Sequence, residues 1–473
     1  MLKRRNTGVN TQRIVHKTME KNVVIDNGQY QVRFGTIEQE NPFIVPNCII
    51  RTQDKRIHLG SKLNNEKSMK DLAILSGGLS NISFQRPIKN GQCYQWNLEH
   101  QIWDNAFVDS KIDSGNGNFL IDSNLLYIES PIILPKFQNM ADQILFEELG
   151  IGSLVRTSGP ALAPWLNCND NTDNNNIEKT NYKNFQLVID SGFDATWIIP
   201  MVNGLPFYKA IRKLPIGGKF LNGYLREIVS FRHYNITEEP ILVNSIKHKA
   251  CYIATDFNEA LNNLTILKKT PNKLMKSKYA LTYVLPNNKN DFEGHVIDDI
   301  SKLSKAEYIK LQNSLTKKTH DDEINDDNLD DSNMMQSLLL TDERFMIPEL
   351  LFHPQLAGVY KSGLIQTIKA SLDAVPELLV PLLVNNIVCI GGTSNIKGFE
   401  DRIVKDLDSE VPIEARCNII DYSNITNDKS LLAWHAGKKF FQHNGFDKVK
   451  LTRDEYNEFG AEYAQEKFGF KLV

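Results

Sequence analysis

Long apolar runs are scarce in this 473-residue chain. The longest, Leu378 to Ile390, is broken by Pro381, Asn385 and Asn386, so no segment is expected to cross a bilayer. The N-terminus, Met1-Leu2-Lys3-Arg4-Arg5, lacks the apolar core of a secretory signal. Cysteine is sparse too. Six residues are present and no two form a C-x-x-C pair, which argues against a disulfide framework and for reduced thiols used as small core groups. Charge of one sign is also lacking: a net charge of -3 provides no global field that would select nucleic acid or membrane. What is present is ordinary for a globular protein, 41% hydrophobic and 23% charged residues. The length exceeds one hydrophobic core and implies several domains.

Residues 1–21 are polar, basic and without periodicity, and read as a solvated arm. Order is expected from Val23. Val23-Val24-Ile25-Asp26 reads as a strand, Asn27-Gly28 as a tight turn whose residues tolerate positive φ, and Tyr30, Val32 and Phe34 as the alternating face of a second strand. The pattern returns at Leu187-Val188-Ile189-Asp190, a turn at Ser191-Gly192, and a strand at Thr196-Trp197-Ile198-Ile199. Two such hairpins suggest a duplicated domain. Later, Leu364, Ile365, Ile368 and Leu372 mark a helix, and Asn386 to Ile390 reads as a buried strand. Gly391-Gly392-Thr393 reads as a tight turn, and Phe399, Ile403 and Leu407 mark a further helix. The alternation is that of an α/β protein. Residues 168–183, rich in Asn and Asp, and residues about 287–338 read as surface insertions. The second carries an acidic run from Asp321 to Asp331, which is either a solvated loop or a lure for basic partners.

Glycine turns aim backbone N–H groups at phosphates and allow close approach. The Asp26-Asn27-Gly28 and Asp190-Ser191-Gly192 turns could grip a phosphate chain from both sides, with Gln29 next to the first. Asp26 and Asp190 suit a hydrated Mg²⁺, which takes few direct protein ligands. Arg33 could reach back to a phosphate oxygen. Gly391-Gly392-Thr393 would let a base or ribose lie against the backbone.

Several collinear segments resemble actin: Ile88-Lys89-Asn90-Gly91 with Trp96 and Ile102-Trp103, Gln143 to Glu147, Ile246 to Tyr252, Glu343 to Pro354, and Asn385 to Thr393. The chain is identified from these as a member of the actin-related family, from about Val23 to its C-terminus. Other segments resemble the nuclear class found in Swr-type chromatin remodellers: Phe84-Gln85-Arg86-Pro87, Val188 to Pro200, Ile216 to Leu221, Ser230 to Asn235, and Thr452 to Phe470.

The resemblance implies an α/β actin-type fold, a duplicated domain with four subdomains around a nucleotide cleft. Subdomain 1 would take 22–47, 89–167 and 428–473, and subdomain 2 would take 48–88. Subdomain 3 would take 184–216 and 360–427, and subdomain 4 would take 217–359 with its acidic insertion. It implies bound ATP or ADP with Mg²⁺, Gly218 and Lys247 by the ribose and base, and Gly391, Gly392 and Thr393 closing the adenosine pocket. It implies as partners a remodeller ATPase chain, a small zinc-finger-type subunit and histones or nucleosomes. The expected location is the nucleus with some cytoplasmic pool.

Departures from actin bear on catalysis. Gln29 and Tyr30 replace Ser and Gly after the first turn, and Phe193 replaces the aspartate after the second, with Asp194 one place later. Trp197 replaces a water-orienting histidine, no glutamine stands near Ser158-Gly159-Pro160, and His248 replaces a glutamate. These imply a structural nucleotide binder with impaired hydrolysis, since hydrolysis needs a positioned water. The changed segment Asp54 to Ser83 and the insertions argue against a self-polymerising filament. An active ATPase of the same fold, and a cytoskeletal actin-related adaptor, are the two rival readings.

Overall fold

The computed structural model describes residues 21–52, 55–64, 66–76, 82–110, 119–167, 184–286, 291–297, 336–412 and 415–469. Two large sheets repeat one plan. In the first, Asn22–Asn27 pairs antiparallel with Gln31–Thr36 and parallel with Asn124–Glu129, which continues to Ser153–Ser158 and Leu451–Thr452. In the second, Gln186–Ser191 pairs antiparallel with Thr196–Val202 and parallel with Ile387–Ile390. The registers correspond: Asp26 faces Arg33 across its hairpin, and Asp190 faces Trp197.

Central strands flanked by a parallel neighbour are covered on both faces, which requires continuous apolar runs. Side chains alternate between the faces. Val23 and Ile25 enter the outer core of the first lobe with Trp103 and Phe34, and Leu187 and Ile189 enter the outer core of the second with Ile246 and Ile368. Val24, Leu126, Val188 and Val388 face a third core shared by both sheets. The Leu432–Gln442 helix fills that core with fully buried Trp434, whose indole Nε1 donates to the Val24 carbonyl at 3.3 Å. A Cβ at Gly437 would come within 2.8 Å of Leu126 and 3.0 Å of Val24, so a glycine lets the helix lie against the first sheet. Each large side chain buried here contributes roughly 1.5–3 kcal/mol, so the shared core fixes the two sheets against each other.

Two smaller sheets rise above the large ones. One orders Ile57–Leu59, Ile49–Arg51 and Ser83–Gln85, and the other His295–Ile297, Leu281–Val284 and Ser337–Leu340. The second corrects the insertion expected at about 287–338. Its margins are strands, with Thr282 opposite Ile297 and Tyr283 opposite Leu338. Phe292 is buried with Ile50, Met69, Leu72 and Ile82, so it ties the two small sheets together. The acidic run, the segment 168–183 and residues 1–20 lie outside the described residues, as does Cys168. Cys48, Cys93, Cys251 and Cys389 are buried free thiols, while Cys417 is only half-buried. Among the described residues no helix is long and apolar enough to cross a membrane.

The two hairpin turns differ from the expected tight turns. Asn27 pairs with Val32 and Ser191 with Thr196, which leaves four-residue loops, Gly28–Gln31 and Gly192–Ala195. Neither Asn27 nor Gly28 has positive φ. Gly28 is needed for a different reason, since a Cβ there would lie 2.7 Å from the Gln31 carbonyl oxygen. The Asn203-Gly204 turn does use positive φ at both residues, as its composition predicts.

Candidate functional site

The two four-residue loops face each other across a cleft of about 870 Å³. Asp26 ends the first central strand and accepts a hydrogen bond from Arg33 Nη1 at 3.0 Å. Burial pushes its carboxyl up, opposed by Arg33. Asp190 ends the second strand. Burial, then the like charge of Asp26, pushes its carboxyl up to about 7, with Arg33 opposing. With both carboxylates ionised the pair would carry like-charge repulsion that one guanidinium does not neutralise, and burial together with that repulsion favours a proton instead. A divalent cation that keeps its waters would relieve it, and these two carboxylates are the residues that would hold one. Among the described residues no group of three or more His, Cys, Asp or Glu forms a closed metal site.

The first loop is braced from below. Asn47 Nδ2 donates to the Gly28 carbonyl and to Glu99 Oε1, both at 3.0 Å, and Asn27 Nδ2 donates to the Tyr127 hydroxyl at 2.9 Å. The Asn27 side chain is therefore a brace, turned toward Tyr127. Gln29 lines the cleft, and its carbonyl accepts from Arg86. Ser191 departs further from expectation. It is fully buried and does not line the cleft; its hydroxyl pairs with Thr196 Oγ1 at 2.9 Å, and Thr196 donates to the Ile216 carbonyl. The reason is register: Asp190 faces the cleft, so the next side chain along the strand points to the opposite face.

Gly192 is where three elements meet. Its carbonyl accepts from Gly218 N at 3.0 Å, the first residue of the Gly218–Arg232 helix, and from Thr393 Oγ1 at 2.7 Å. Gly391 has φ +91°, and a Cβ there would fall 2.4 Å from the Ser191 carbonyl oxygen and 2.8 Å from Asp190 Oδ1. Only glycine fits that conformation and that approach. At Gly218 a Cβ would meet Lys247 Nζ and Thr393 Oγ1, each at 3.2 Å. Gly218, Lys247, Gly391, Gly392 and Thr393 thus line one end of the cleft together.

Lys247 defines the electrostatics of that end. It is 3% exposed, and among the described residues its ammonium reaches only neutral acceptors, Asn244 Oδ1 at 3.2 Å and the Gly218 carbonyl at 3.5 Å. Burial lowers its pKa to about 8. Burial and then Lys247 lower neighbouring His248 to about 4, partly offset by Asp428, so this imidazole is neutral. A buried ammonium that has no carboxylate partner among the described residues, facing an open cleft, fits an anionic ligand.

At the other end no polar group occupies the Trp197 position. Lys213 Nζ lies over the Trp197 ring at 4.9 Å and pairs with Asp194 at 3.9 Å, which turns Asp194 toward Lys213. Arg86, Asp428 and Asn244 are among the cleft residues that the sequence did not mark as site residues. Arg86 and Asp428 arrive from distant segments with no local signal. Asn244 precedes Lys247 by three residues on the Pro240–Ala250 helix, and that spacing places both on one face.

Comparison with known proteins fits this geometry. The family model described as Actin matches residues 18–469. The fold and cleft define an actin-type protein, and the chain belongs to the actin family. It is similar to "Actin-like protein ARP6" of Candida glabrata, 34% identical over 96% of this chain and 99% of that one. The corresponding protein of Saccharomyces cerevisiae is 32% identical over 95% of this chain and 98% of that one. "Actin-related protein 6" of Neurospora crassa is 31% identical over 95% and 94%.

Proposed function

We propose that this chain is a non-catalytic actin-related subunit of a nuclear chromatin-remodelling complex that exchanges a Z-type histone variant into nucleosomes. It regulates transcription through that complex, holds an adenine nucleotide, ATP or ADP, as a structural element, and serves as an assembly platform. The resemblance to the nuclear class of actin-related proteins, and the full-length similarity to proteins named actin-related protein 6, support this role. The remodeller ATPase chain, a small zinc-finger-type subunit and nucleosomes are the proposed partners. The nucleus, with some cytoplasmic pool, is the proposed location, and self-polymerisation is not part of the function.

The observation that carries the nucleotide reading is Lys247, a buried ammonium at the cleft with no carboxylate partner among the described residues. Gly218 and Gly391–Thr393 form the surface against which a ribose and base would lie. Asp26 and Asp190 would hold the water shell of Mg²⁺, which supplies charge neutralisation for the phosphates. Hydrolysis needs a side chain that orients water, a contribution typically worth about 10²–10⁴ in rate. Trp197 and Phe193 supply no such group, so the cleft is a clamp. Phosphate release from Mg-ATP by the purified full chain tests this. The expected turnover is far below about one per second, and a rate near that typical enzyme value would contradict it.

A further inference from the structure

Tyr30 belongs to the first loop and Phe193 to the second, so their rings meet across the cleft. The centroids lie 4.9 Å apart with the planes tilted by 41°. Arg86 lays its guanidinium over both, 4.7 Å from the Tyr30 centroid and 5.3 Å from that of Phe193. Its Nη1 donates to the carbonyls of Gln29, Tyr30 and Asn47 at 3.2, 2.9 and 3.1 Å, which fixes it on the first loop. The Tyr30 hydroxyl accepts from Asn244 Nδ2 at 3.0 Å, on the helix that carries Lys247.

We propose that Tyr30, Phe193 and Arg86 form a clasp between the lobes that bars a third phosphate, so the cleft takes a nucleoside diphosphate in preference to a triphosphate. The proposal rests on the nucleotide reading above. A ligand with its nucleoside at the Lys247–Thr393 end extends its phosphates toward the two loops. Aromatic centroids about 4.5–7 Å apart are in direct contact, so no phosphate passes between these rings without separating them. Separation would also strip Arg86 from both ring faces, where a desolvated cation is held most strongly. The two facing loops thus measure the length of the phosphate chain with rings in place of backbone amides.

Calorimetric titration of the nucleotide-stripped full chain with Mg-ADP and Mg-ATP tests the clasp, alongside Phe193→Ala and Tyr30→Ala, which open it from opposite lobes. Wild-type protein is expected to bind ADP at least about tenfold more tightly than ATP, and either variant to narrow the ratio to about threefold or less. Tyr30→Phe keeps the ring and loses only the Asn244 bond, so it should keep the wild-type ratio. Equal affinities in the wild type, or an unchanged ratio in both alanine variants, would overturn the clasp. If the wild type binds neither nucleotide, the nucleotide reading falls. The clasp is then judged on the variants: newly acquired ATP binding supports it, and continued absence of binding overturns it.

Discussion

Replacing Glu99 by Gln should stabilise the protein at neutral and alkaline pH and have little effect in acid. Glu99 lies on the Trp96–Asp109 helix beneath the first loop and is fully buried. Its Oε1 accepts from Asn47 Nδ2 and Trp103 Nε1, both at 3.0 Å. Burial raises its pKa from 4.5 to about 7, against the opposing bonds from Asn47, Asn27 and Trp103. A carboxyl whose folded pKa exceeds its unfolded value binds the proton more tightly in the native state. Its contribution is complete below about 4.5 and is lost as pH rises through about 7. The shift of about 2.5 units, 7 minus 4.5, corresponds at 1.36 kcal/mol per unit to roughly 3 kcal/mol. Gln is the isostere of the protonated acid, so it retains this contribution at every pH. Thermal unfolding midpoints of both chains at about pH 5 and about pH 8 provide the assay, because a protein with several cores need not unfold in two states. The gap should be small at the lower pH and wide, with the variant higher, at the upper. A gap independent of pH, or a variant less stable at about pH 8, would show that Glu99 does not carry this raised pKa.

Lys247→Met should weaken ADP binding about tenfold to a hundredfold, the loss of one charge-assisted contact of roughly 1.5–3 kcal/mol. In the unmodified chain the affinity should fall as pH rises through about 8, where the ammonium loses its proton, and in the variant it should be flat; calorimetry at several pH values reads both. Gly391→Ala should lower the thermal midpoint, because it combines an unfavourable φ of +91° with a contact of 2.4 Å to the Ser191 carbonyl oxygen. The cost is about 1–3 kcal/mol or more.

The central hairpins were legible because strands buried on both faces must be continuous apolar runs, as Val23-Val24-Ile25 and Leu187-Val188-Ile189 are. The helices marked by Leu364–Leu372 and Phe399–Leu407 were legible for a similar reason, since their apolar residues recur at the helical period. The second small sheet was not. Phe292 is a single apolar residue between Asp291 and Glu293, and Met69, with which it is buried, lies far away in the chain. The same holds at the site. Glycines and strand-end acids announce themselves by type and spacing, whereas Arg86 reaches Tyr30 only after the chain has folded between them. Ser191 misled because its neighbours face the cleft and strand alternation turns it away. Similarity in sequence marked Tyr30 and Phe193 as departures; only geometry shows that they touch.

The platform role is tested most directly by affinity purification of the tagged full-length chain from its own cells, followed by mass spectrometry. Recovery of a remodeller ATPase, a small zinc-finger-type subunit and histones in stoichiometric amounts is expected. Recovery of dynactin-type cytoskeletal partners without remodeller subunits would contradict it.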